Sequence, residues 1–306
     1  MTTSKRLDGG ALTGIAVALL AWSSAYAAIG YALRSFSPGE LALARLLVAS
    51  LCFAVLLAVR REPLPAWRDW PRLAVLGVVG LTVYNLCLNA AETRIAGGTA
   101  AIIIALVPVT TAALSALWLG ERLGLRRWFG LGIALAGTLL VVLADGQRVA
   151  ADPQALLVLL CVLASPVYFV GQQPLQARYG SFTVTAFTFF FAALGALPFG
   201  WRLPWALAAA PWPRIGALLW LGIAPSFVGY LAGNIAVHRA GASRVSSFIY
   251  LSPPIAIAIG WLWLHQVPAP KVLLGGAVVI AGVVLANARR RSPVPPAPVA
   301  GACKPP

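Results

Sequence analysis

Polar residues in this chain come in clusters, and between the clusters the sequence stays apolar for about 20 residues at a time. At roughly 1.5 Å of rise per residue, a run of that length crosses a hydrocarbon core about 30 Å thick. Ten such runs predict transmembrane helices at residues 11–33, 38–59, 72–91, 95–118, 125–144, 154–175, 182–200, 213–237, 242–264 and 270–288. The connections are short and leave no room for a soluble domain. Residues 289–306, rich in arginine and then proline, predict a disordered tail on the cytoplasmic side.

The runs repeat. At a constant offset of 145 residues, Gly77 matches Gly222, Asn89 matches Asn234, Pro108 matches Pro253 and Trp118 matches Trp263. Leu119 with Leu264, Gly130 with Gly275 and Gly137 with Gly282 keep the same offset. Apolar chains match by chance at Leu and Ala, so the weight rests on the shared Asn, Pro, Trp and Gly. The repeat divides the chain into residues 1–148 and 149–288, each with five spans. Because five is odd, the second half enters the bilayer from the side opposite to the first. The expectation is an all-α membrane protein of ten transmembrane helices, built as two inverted five-helix repeats. Inverted repeats give secondary transporters two nearly equivalent conformations, with the binding site at the repeat interface.

Composition agrees with a membrane interior. Soluble domains carry about a quarter charged residues, whereas this chain has 10% charged and 60% hydrophobic residues and a mean hydropathy of +0.86. A net charge of +15 raises nucleic acid as a partner, but no basic stripe with interleaved aromatics stands apart from the spans. Topology accounts for the charge. With a cytoplasmic N-terminus, 16 Lys and Arg fall on the inner side and 6 on the outer, which predicts both termini in the cytoplasm. Lys5 and Arg6 before an apolar run that ends near Ala25-Tyr26-Ala27 also fit a signal peptide, but the run is as long as a full span and the repeat needs it. Cys52, Cys87 and Cys161 lie in spans without metal-ligand spacing, and Cys303 lies in the tail; neither a metal nor a cofactor is expected. The chain has no Gly-x-x-x-x-Gly-Lys-Ser/Thr loop, two His and no His-Glu-x-x-His, which disfavours an ATP-driven pump and an intramembrane enzyme.

The clearest local pattern runs from Asn89 to Val142, through Ala100-Ala101, Pro108, Leu119-Gly120-Glu121-Arg122, Gly130 and Gly137. It resembles the signature of the EamA family of the drug/metabolite transporter superfamily. A fainter copy, Ala242 to Val284, keeps Pro253, Trp263, Gly275 and Gly282 but carries His265-Gln266 where the first has the Gly-Glu pair. The resemblance implies ten helices around a central cavity, and export of an amino acid or another small metabolite across a bacterial inner membrane. A channel and a lipid flippase are the alternatives. The expected partners are a small-molecule substrate and the lipid bilayer, with a homodimer left open.

Polar and aromatic residues inside the spans are the candidates for a site, since buried polar groups in lipid face the bundle or a wet cavity. Trp22 and Tyr26 share a face of the first span, and Tyr168 and Gln172 repeat their spacing in the sixth. Tyr84, Asn85 and Asn89 in the third span, Tyr230 and Asn234 in the eighth, and Tyr250 in the ninth complete the candidate lining. For the amides, interhelical hydrogen bonding is an equal alternative. Pro108 and Pro253 interrupt the backbone ladder at midspan and are candidate kinks or gates. Arg45 lies about 10 Å below the outer edge by helix rise; Glu92 is its expected ion-pair partner, with a substrate carboxylate or snorkelling to the interface as the alternatives. The Gly pairs 130/137 and 275/282, and Gly229-x-x-x-Gly233, predict close helix packing. No carboxylate falls at midspan, so no central proton carrier is expected.

Overall fold

The computed structural model describes residues 8–107, 110–111, 114, 125–144, 153–240, 248 and 251–287. Helices account for the regular structure of these residues. In chain order they are α1 (Gly9–Ala32), α2 (Pro38–Arg60), α3 (Trp70–Gly77, Val78–Val83 and Tyr84–Ala91 in continuous succession), α4 (Gly97–Ile104) and α5 (Leu125–Ala144). There follow α6 (Pro153–Gly171), α7 (Gln173–Tyr179), α8 (Ser181–Ala196), α9 (Leu203–Ala209), α10 (Trp212–Leu221, Gly222–Gly229 and Tyr230–Ala240), α11 (Ser252–Leu264) and α12 (Pro270–Asn287).

Local chemistry sets several ends. Asp8 caps α1 by accepting from the Ala11 N–H, which holds its carboxyl below the usual range. Ser37 and Glu40 form a reciprocal capping box at the start of α2, with Pro38 at the first helical position. Gly180, at φ +80°, makes the turn from α7 into α8.

Six helical stretches among the described residues are long and apolar enough to cross a bilayer: Gly9–Ala32, Pro38–Arg60, Trp67–Ala91, Leu156–Tyr179, Ser181–Phe199 and Trp212–Ala236. They correspond to the first three expected spans of each half. The other four expected spans are represented among the described residues by α4, α5, α11 and α12. α9 was not expected; it occupies the connection after α8 and carries Trp205, which stacks edge-on with Trp201. The outer faces of the long helices are apolar. Leu51 is 67% exposed and Val59 74% exposed on α2, a pattern suited to lipid rather than water.

α1 packs on α10 and α11, α2 on α8 and α10, and α3 on α6 and α8. α4 packs on α6 and α11, and α5 on α12. These pairings map onto one another when α1, α2, α3, α4 and α5 are exchanged with α6, α8, α10, α11 and α12, while the contacts of α4 with α1 and α5 have no equal among the described residues of the second half. The middle stretches of α3 and α10 are both π-helical, Val78–Val83 and Gly222–Gly229, and they coincide at the 145-residue offset. The main core cluster joins α1, α2, α3, α6, α8 and α10, with Phe53 stacked against Phe182, Phe189 and Phe227.

The glycine pairs have different roles. A Cβ at Gly137 would meet Val279 N at 2.6 Å, and one at Gly282 would meet Ala134 N at 2.4 Å, so α5 and α12 touch backbone to backbone. Gly229 and Gly233 instead seat a side chain. Their missing Cβ atoms leave room for the Trp22 indole, which lies 2.7 and 3.0 Å from where those atoms would be.

Candidate functional site

A cavity of about 160 Å³ lies inside the bundle, lined from α1, α2, α3, α4, α6, α8, α10 and α11. Its position follows from the π stretches, which widen the helix turn and direct side chains and backbone into it. α3 contributes Gly80 and Leu81, and α10 contributes Pro225 and Ser226, at matching positions of the repeat. Asn85 and Tyr230 are likewise equivalent at the 145-residue offset, and both line the wall.

Aromatic side chains make up much of the surface. Tyr230 stacks edge-on with Trp22 at 5.9 Å, Tyr168 at 6.1 Å and Phe189 at 5.1 Å, so one ring ties α1, α6, α8 and α10 together. Trp22 Nε1 donates to the Pro225 carbonyl at 3.1 Å. On the opposite side Tyr168 covers Gly80, where a Cβ would lie 2.5 Å from its own Cβ. Each of the two paired aromatics, Trp22 and Tyr168, therefore sits on the π stretch of the other half.

Of the candidate residues, Trp22, Tyr26, Tyr84, Asn85, Tyr168, Tyr230, Arg45 and Pro253 come together on this wall. Asn89, Gln172 and Asn234 do not. Asn89 Nδ2 donates to the Pro38 carbonyl, Gln172 Oε1 accepts from Gln176, and Asn234 Nδ2 donates to Thr185. These amides join helices or turns instead of facing the cavity. Tyr250 and Pro108 lie outside the described residues. Ser165, Ser226, Ser252 and Phe189 line the cavity without having been singled out in the sequence.

Arg45 is buried, and its partner is Ser226 rather than Glu92. Arg45 Nε and Nη2 donate to Ser226 Oγ at 3.3 and 3.1 Å. Ser226 in turn donates to the Leu221 carbonyl at 2.8 Å. The serine hydroxyl is thus fixed by its own helix and in turn holds the arginine. The expected contact with Glu92 is not made: both Glu92 oxygens are buried without a hydrogen-bond partner. Glu92 is also buried more completely than its place at the end of α3 suggests.

Two polar contacts tie the halves at opposite ends of the bundle. At one end Asp69 Oδ2 accepts from Arg178 Nη1 at 2.9 Å and from the Tyr179 hydroxyl at 2.6 Å. At the other, Arg214 Nη1 donates to the Arg34 carbonyl at 2.8 Å and to Ser35 Oγ. Residue 214 is the repeat equivalent of residue 69, and 179 that of 34, so one contact is the counterpart of the other.

The profile of the EamA-like transporter family matches the chain twice, over residues 9–143 and 153–288. A protein of Streptantibioticus cattleyicolor named "probable terminal-alkyne amino-acid exporter" is 33% identical over 282 residues, covering 91% of this chain and 94% of that one. The uncharacterized transporter YdfC of Bacillus subtilis is 30% identical over 86% of both chains. The uncharacterized inner membrane transporter YedA of Escherichia coli K12 is 27% identical over 83% of this chain and 78% of that one. A solved crystal structure superposes with a TM-score of 0.61 at 22% identity, over 90% of this chain and 96% of that one.

Proposed function

The chain belongs to the EamA-like transporter family and is a multi-pass membrane protein, and from that premise we propose that it exports a small amphipathic metabolite by alternating access. The substrate is bound in the cavity between the halves, and the carrier works in the inner membrane with both termini in the cytoplasm. The observation that carries this reading is the cavity itself. It is lined by residues of both halves and walled by aromatic rings with a few fixed polar groups, as small-molecule sites are.

Two further features support alternation between inward-open and outward-open states. The main helix pairings map onto one another when the halves are exchanged, which supports an inverted repeat of ten helices. The Asp69 and Arg214 contacts stand at opposite ends as equivalent closures. The Streptantibioticus relative's name supports export and a load resembling an amino acid.

Reconstitution tests the reading. Proteoliposomes containing the full-length protein should show saturable flux of apolar or aromatic amino acids or their amides and amines, accelerated by substrate on the far side. Flux that rises linearly with concentration would identify a channel, and lipid scrambling without solute flux a flippase.

A further inference from the structure

α3 of the first half and α6 of the second pack closely along one seam. A Cβ at Gly171 would lie 2.6 Å from Leu76 Cδ2, and one at Gly80 would lie 2.5 Å from Tyr168 Cβ. Residue numbers therefore rise along α3 as they fall along α6, so the two helices are antiparallel. Seven residues beyond Gly80, about two helical turns, stands Cys87, and seven before Tyr168 stands Cys161. The register sets the two cysteines opposite each other across the seam. Their side chains are hydrogen-bond partners, and Cys161 Sγ stands 3.3 Å from the Tyr84 carbonyl oxygen of α3.

Packing alone does not call for two thiols. At the 145-residue offset the equivalent seam, α1 on α10, carries Ala16 and Ala232. Exposure differs within the pair: Cys161 is fully buried, whereas Cys87 is half-buried. Both lie toward the end of the bundle that carries Glu92, Cys87 about one turn before the end of α3 and Cys161 about two turns after the start of α6. With the N-terminus in the cytoplasm this is the outer end, beside the oxidising periplasm in which disulfides persist.

We infer that Cys87 and Cys161 are a redox-modification site whose disulfide fastens the first half of the chain to the second. The oxidant is a peroxide. The Cys87 thiolate, the more accessible of the two, attacks a peroxide oxygen and becomes a sulfenic acid, and the oxygen that leaves takes a proton and departs as water. The Cys161 sulfur then displaces the sulfenic oxygen, which departs as a second water. Two thiols become one disulfide, and the two electrons they lose reduce one hydrogen peroxide to two waters. Tyr84 and Ser165, about one turn from the cysteines on their own helices, line the cavity. Alternating access moves the halves against each other, so the bond arrests transport. The arrest rests on the proposed function; the bond itself does not.

Two readouts on the full-length protein in proteoliposomes separate these statements. After peroxide treatment, denaturation and tagging with maleimide-polyethylene glycol, wild type should lose two of its four tags and regain both on reduction with dithiothreitol. Cys87→Ala and Cys161→Ala should each keep the tags of their remaining thiols, and either variant suffices if the other does not fold. Counterflow of labelled L-leucine should fall roughly tenfold or more in oxidised wild type, recover with dithiothreitol, and stay unchanged by peroxide in both variants. Retention of all four wild-type tags, or a loss that dithiothreitol does not reverse, would overturn the disulfide. Full flux through protein whose two tags are lost would overturn the arrest. Absence of leucine flux from the reduced protein would count against the transport reading, while the tag count would still decide the bond.

Discussion

Trp22 shows how one residue can be fixed by its neighbours' lack of atoms. Its indole rests on Gly229 and Gly233 and is held by a single hydrogen bond to the Pro225 carbonyl. Because it packs against the cavity and not through the main core, Trp22→Ala should reduce apparent substrate affinity by roughly five- to thirtyfold, the range for losing one aromatic contact of about 1–2 kcal/mol. Expression should stay within about twofold of wild type, since an exposed cavity wall contributes little to folding. Tyr230→Ala should weaken substrate likewise but, because its ring also packs against the main core, should lower yield as well; normal transport kinetics in the double variant would refute the aromatic wall. These aromatics could be read from sequence because Tyr and Trp at midspan depart from their usual place at the membrane edge. The amides could not. Periodicity assigns Gln172 and Asn234 to a helix face but does not say what stands opposite, and Gln176 and Thr185 take up their hydrogen bonds. Depth alone pairs Arg45 with Glu92; its actual partner, Ser226, is presented by a π stretch that hydrophobic patterning does not reveal.

Helices here are shaped by the way each break is repaired. Pro166 inside α6 leaves the Val162 carbonyl without its N–H, and Thr110 Oγ donates to it at 3.0 Å from the α4 side of the bundle. Pro225 lies within the π stretch of α10, where Ser226 Oγ also donates to the Leu221 carbonyl at 2.8 Å. The six long spans could be read because length and apolarity alone define them. The π stretches could not, although Gly77 and Gly222 mark where both begin. The packing of α5 on α12 was legible from four glycines, and it carries a prediction with an internal control. Gly137→Leu would push a side chain into the backbone at Val279, so it should lower yield and melting temperature, with overpacking costing about 1–3 kcal/mol or more. Gly132, on the same helix, has no atom within 4 Å of its missing Cβ, so Gly132→Leu should leave both nearly unchanged. Equal losses in the two variants, read by fluorescence-detected size exclusion and thermal shift, would argue against the backbone contact.

At the scale of the whole molecule, the repeat predicts a transport cycle in which each end of the bundle opens while the other stays closed. The two closures differ in chemistry although they are equivalent in position. Asp69 is nearly buried and receives both an arginine and a tyrosine, whereas Arg214 is bound to a backbone carbonyl and a hydroxyl. Arg178 is 62% exposed on its side chain, so solvent and salt screen that half of the Asp69 contact and leave most of the closure to Tyr179. With the N-terminus in the cytoplasm, Asp69 closes the inner end and Arg214 the outer. Asp69→Ala should then favour the inward-open state and Arg214→Ala the outward-open state, each by about fivefold for a loss of about 1 kcal/mol. A Ser165→Cys reporter on the cavity wall, in a background lacking the native cysteines, reads the balance through labelling by a membrane-impermeant maleimide. Inside-out vesicles should label faster with Asp69→Ala and right-side-out vesicles faster with Arg214→Ala. A shift in the same direction for both would mean that the contacts stabilise the bundle without gating it, and the pairing of the two ends through the repeat would then carry no mechanism.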